Sequence, residues 1–92
     1  MFDDSVSIRL SGQDTKPLAD HPVRGAVVAA AQGLAEREGI VIARLSTDDD
    51  GISIDLVTQE ATAVGFAAEL RRITNHWYEE KFGKGPLWRK PK

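Results

Sequence analysis

The chain has 92 residues, a formal net charge of −2 and no cysteine. That length supports one domain, and 41% hydrophobic with 28% charged residues is the balance of an ordinary globular protein. The missing cysteines exclude a disulfide scaffold and a cysteine-based zinc site, leaving the cytoplasm as the expected compartment. The first residues, Met1-Phe2-Asp3-Asp4, are acidic and lack the apolar run of a signal peptide. The most apolar stretch, residues 23–34, is interrupted by Arg24, Gly25, Gln32 and Gly33 and is too short to cross a bilayer.

Charge is divided unevenly. Residues 1–70 hold five basic and twelve acidic side chains, whereas residues 71–92 hold seven basic and two acidic ones. An asymmetry of this kind marks a candidate electrostatic interaction surface.

Ser5 to Ser11 alternates, with Val6, Ile8 and Leu10 on one side and Ser5, Ser7, Arg9 and Ser11 on the other, as in a strand with one wet face. Gly12 to Ala19 is a loop punctuated by Gly12, Asp14 and Pro17. Asp20 or His21 caps a first helix with Pro22 in its first turn, a stripe at Val23, Val27, Ala30 and Leu34, and Gly39 as its left-handed stop. Gly25, Ala29 and Gly33 recur at four-residue spacing in that helix. Interior glycines cost about 1 kcal/mol each relative to alanine, so another backbone is expected close against them.

Two strands follow, Ile40 to Ser46 and Ile52 to Val57, joined through Thr47-Asp48-Asp49-Asp50-Gly51. Pairing Ser46 with Gly51 places Leu45, Ala43 and Val41 opposite Ile52, Ile54 and Leu56 on one face. Ile40, Ile42 and Val57 are then left over on the far face as a candidate self-interface. The longest helix runs from Glu60 to Phe82, with Phe66, Leu70, Ile73 and Trp77 aligned and widened by Ala63, Ala67 and Thr74. Gly83 ends it, and Pro86 to Arg89 forms a short apolar knot in a basic tail.

The expected organisation is a single α/β (α+β) domain over residues 1–83 followed by a C-terminal tail, residues 84–92. The order β-α-β-β-α, with a short fourth β element between Leu87 and Lys90, predicts a two-layer sandwich. In topology alone this resembles the ferredoxin-like plan with its last strand short or absent, a plan that hosts many functions.

Little in the sequence points to catalysis. The triple aspartate fails as a calcium loop, because counting from Ser46 puts Val57 where a bidentate glutamate is needed, and strands flank it. His21 and His76 have no partners at metal-ligand spacing, and no nucleophile elbow or phosphate loop is present. The expectation is therefore a non-enzyme with no cofactor, metal, membrane or small-molecule ligand.

The informative segment combines cations with aromatics: Arg71, Arg72, Tyr78, Lys84, Trp88, Arg89 and Lys90 are the candidate partner-binding residues. Trp88, beyond the last helix, either folds back over the domain or anchors a partner. The expected function is a small protein-interaction module whose partner is another protein or a second copy of itself. The alternative is an RNA- or DNA-binding domain, since cations on phosphates and aromatics on bases suit single strands.

Overall fold

In the computed structural model, which describes residues 5–90, the chain forms β1 (Ser5–Ser11), α1 (His21–Glu38), β2 (Val41–Asp48), β3 (Gly51–Val57) and α2 (Glu60–Phe82), with a single 3-10 turn at Pro17–Ala19. The strands make a three-stranded antiparallel sheet in the order β1-β3-β2. β1 and β2 point the same way, as the crossover through α1 requires, but β3 lies between them. The result is a compact α+β domain with both helices on one face of the sheet.

The core follows from the strand alternation. Ile52, Ile54 and Leu56 of the central strand are buried opposite Leu10, Ile8 and Val6 of β1. Full burial of such a side chain stabilises by about 1.5–3 kcal/mol. The helices close this face with Val23, Val27, Ala31, Leu34 and Ala35 of α1 and Ala63, Phe66, Leu70, Thr74 and Tyr78 of α2. The α2 stripe thus runs down Thr74 and Tyr78 in its second half, with Ile73 and Trp77 only partly covered. Gly39 and Gly83 end the two helices at φ 70° and 68°, the left-handed geometry that glycine adopts without a side-chain penalty.

Three expectations are corrected. First, the β2–β3 hairpin closes at Asp48↔Gly51, two residues tighter than the Ser46↔Gly51 pairing. The Asp48 carboxylate is the reason: its Oδ1 accepts the N–H groups of Asp50 (2.8 Å) and Gly51 (2.9 Å), folding the turn onto itself.

Second, a bulge between Ile42 and Arg44 flips the inward–outward alternation of β2. Ile42 therefore pairs with Leu56 on the covered face, and Ile40 also packs against the core. Val41 turns outward instead, opposite Val57. Ile40, Ile42 and Val57 do not form one patch.

Third, Gly25, Ala29 and Gly33 face solvent, and a Cβ at either glycine would meet nothing within 4 Å. No backbone approaches them. Gly25→Ala and Gly33→Ala are each expected to stabilise the protein by about 0.5–1 kcal/mol, because alanine restricts the unfolded chain without a clash. A urea melt reads this as a raised midpoint; a lowered one would mean that the α1 surface is packed after all.

Candidate cationic groove at the edge of β1

The C-terminal tail is tied into the fold rather than appended to it. Leu87 and Trp88 are 0% and 1% exposed and belong to the same core as the helices and sheet. Of its two alternatives, Trp88 takes the first: the ring folds back into the domain, and its Nε1–H donates to Thr74 Oγ1 at 2.7 Å. Thr74 can be buried at that point because its own hydroxyl donates to Leu70 O (2.6 Å) one turn back. Asn75 Oδ1 accepts both the Leu87 and Trp88 N–H groups (2.8 and 3.2 Å), and Gln13 Nε2 donates to Trp88 O (2.9 Å).

These anchors place the tail alongside the end of β1. Gln13 N–H donates to Leu87 O and Arg89 N–H donates to Ser11 O, forming one antiparallel bridge, Gly12↔Trp88. The expected fourth β element is reduced to this bridge. The next N–H that the tail itself could offer β1 belongs to position 91, which is proline in the sequence and has none.

Just past the bridge lies a groove of about 290 Å³, lined by Arg9, Leu10, Ser11, Arg71, Trp88, Arg89 and Lys90. Four of its seven lining residues are cations. Two have carboxylate partners: Arg9 with Asp48 (3.2 Å) and Arg89 with Asp14. Arg71 and Lys90 have none among the described residues, and Arg71 Nε is buried without any hydrogen-bond partner. A buried guanidinium donor left unpaired is unfavourable by about 1–3 kcal/mol.

The structure brings together Arg71, Trp88, Arg89 and Lys90 and separates the other candidates from them. Arg72 is held by Glu69 in a two-point contact (2.9 and 2.6 Å), which lowers the Glu69 pKa and raises that of Arg72. Tyr78 is 7% exposed and packs its ring 4.9 Å from that of Phe82. Lys84 and Tyr78 border a different depression, together with Gln13, Thr15 and Pro86. Arg9 is the groove residue that the sequence reading missed. Alternation marks it as solvent-facing, but only the strand order puts β1 at an edge beside Arg71 and the tail.

The remaining constellations close on themselves. Each aspartate of the hairpin turn meets a cation from another element: Asp48 meets Arg9, Asp49 meets Arg24 (2.7 Å) and Asp50 meets Lys16 (2.6 Å). Among the described residues no group of three or more His, Asp or Glu side chains is arranged to hold a metal. His21 is exposed, and His76 is exposed with Nε2 3.9 Å from Glu80. A cavity of about 380 Å³ between the helices, over Leu34, Ile40 and Phe66, is rimmed by Arg37, Glu38 and Glu69, which pair with one another. Among the described residues no helix is long and apolar enough to cross a membrane.

The turn carries a pH prediction. The Asp50 N–H, followed by the Arg9 guanidinium, stabilises the ionised Asp48 and lowers its pKa below the usual 3.8. A group whose pKa is depressed in the folded state stabilises above its unfolded value and loses that contribution as pH falls through the folded one. Carboxyl NMR should therefore show Asp48 titrating below 3.8, with the turn's contribution lost progressively as pH falls through the unfolded value toward the folded one. A midpoint at or above 3.8 would contradict the turn geometry. Comparison of the chain with protein-family models and with curated proteins gave no match.

Proposed function

We propose that this chain is a small non-enzymatic protein-interaction module that binds an acidic segment of a partner protein in the cationic groove at the edge of β1. The observation that carries this reading is that, among the described residues, two of the four cations lining the groove, Arg71 and Lys90, have no carboxylate partner, so the groove has charge to spare after its internal ion pairs are counted. The sheet leaves the edge of β1 beside the tail paired only through the Gly12↔Trp88 bridge, which makes that edge accessible; in topology this resembles a ferredoxin-like plan with its last strand short.

A protein partner is favoured over nucleic acid because the groove offers no free aromatic face. Trp88 and Tyr78 are buried, and base stacking supplies much of single-strand affinity. A second copy is disfavoured at this edge, since a two-fold β1–β1 contact would bring two sets of Arg9, Arg71, Arg89 and Lys90 together.

The test is fluorescence anisotropy with a labelled glutamate-rich peptide and a labelled oligothymidylate. The peptide should bind more tightly than the oligonucleotide and weaken with salt. The combined Arg71→Gln, Lys90→Gln variant should lose about tenfold or more in peptide affinity, equivalent to about 1.4 kcal/mol, with an unchanged circular dichroism spectrum. Equal peptide binding by the wild type and the variant, or no binding by either, would overturn the reading.

A further inference from the structure

The groove has a backbone component. Gly12 N–H donates to Asp50 O, so even-numbered residues at this end of β1 turn their N–H and C=O groups toward β3. Ser11 O accepts Arg89 N–H, so odd-numbered residues face the opposite edge. By the same alternation the N–H and C=O groups of Ser7 and Arg9 point away from the sheet, directly beyond the bridge to Trp88. No strand covers them among the described residues.

The two edges of the sheet differ. β2 is bulged between Ile42 and Arg44, a device that discourages added strands, whereas β1 pairs with β3 through seven regular positions. The cations also flank this edge from both sides. Arg71 comes from α2 on the covered face of the sheet, and Arg9 lies on the open face, where it reaches Ser53. Consecutive side chains of an extended strand alternate between faces. A run of acidic residues lying along β1 would thus place one carboxylate toward Arg71 and the next toward Arg9.

We infer that the acidic segment binds as an added fourth strand along β1, hydrogen-bonded to the main chain of Ser7 and Arg9 while its carboxylates meet Arg71, Arg9 and Lys90. This rests on the groove being the interaction site and specifies how its occupant is held. The mode is strand addition, in which main-chain bonds supply affinity and flanking side chains supply specificity.

The experiment compares a glutamate-rich peptide with one whose central amides are replaced by esters at consecutive positions. The ester version keeps charge and extended shape but loses N–H donors in whichever register it binds. The expected result is at least about tenfold weaker binding of the ester peptide, with amide hydrogen exchange at Ser7 and Arg9 slowed about tenfold or more by the amide peptide alone. If both peptides bind equally, Ser7 and Arg9 stay unprotected, and Arg71→Gln still weakens both, strand addition is overturned while the groove stands. If neither peptide binds, or oligothymidylate binds more tightly than either, the groove reading and the strand reading fall together.

Discussion

Trp88→Ala is expected to remove a large share of the stability of the domain, although the residue lies beyond the last helix. The ring is 1% exposed, and truncating a buried tryptophan typically costs about 3–5 kcal/mol. Domains of this size have about 5–15 kcal/mol in total. The loss also leaves Thr74 without its indole donor and weakens the bridge that seats Leu87 and Arg89 against β1. Thermal unfolding should report a fall of roughly 15 °C or more. Thr74→Val separates packing from hydrogen bonding: it keeps the shape but strands the indole N–H, and should cost about 1–3 kcal/mol. A Trp88→Ala variant within about 1 kcal/mol of the wild type would mean that the tail is not part of the core.

Gly51→Ala is the second severe change. A Cβ at this position would sit 2.2 Å from Leu10 O and 3.2 Å from Leu10 C, both backbone atoms that no side-chain rotation can move. Gly51 is where all three strands meet, paired with Ser11 on one side and Asp48 on the other. The clash must therefore open the β1–β3 ladder or shift the hairpin, and overpacking of this kind costs about 1–3 kcal/mol or more. Its signature should be local. Exchange protection should fall first at the Leu10–Gly12 end of β1, and the groove built on that end should bind more weakly. A Gly51→Ala protein as stable as the wild type would show that β1 and β3 are not held this close.

Local chemistry made much of this fold legible from sequence. The bounds of α2, its glycine stop, β1 and three of the four α1 stripe residues follow from periodicity and capping, with Ala31 rather than Ala30 buried. The errors came where one side chain overrode a pattern. Asp48 shortened the hairpin by accepting two turn amides, and the Ala43 bulge reversed which β2 residues face inward. In α2 the buried stripe centres on Thr74, already placed on the apolar face and satisfied by Leu70 O and the Trp88 indole, so it continues to Tyr78 rather than Trp77. The site was half legible for a different reason. Arg71, Trp88, Arg89 and Lys90 are near one another in sequence and stood out as a basic-aromatic cluster. Arg9 is about sixty residues from Arg71 and joins only through the order of strands, which no local pattern encodes.

In the proposed reading, the groove gives the uneven charge of the chain a physical role. Of its basic C-terminal residues, Arg89 and Lys90 are carried back with Trp88 onto the edge of the first strand, beside Arg71, and Arg9 adds a further cation there. Among the described residues, Arg71 and Lys90 are the groove cations left without a carboxylate partner.

The most direct test of this account is an amide NMR titration of the intact protein with a glutamate-rich peptide at low ionic strength. Shifts confined to Ser7, Arg9, Ser11, Arg71, Arg89 and Lys90, saturating with one peptide per chain, are the predicted result. Shifts scattered over every exposed cation, or centred on Arg37 and Arg44 away from the β1 edge, would contradict it.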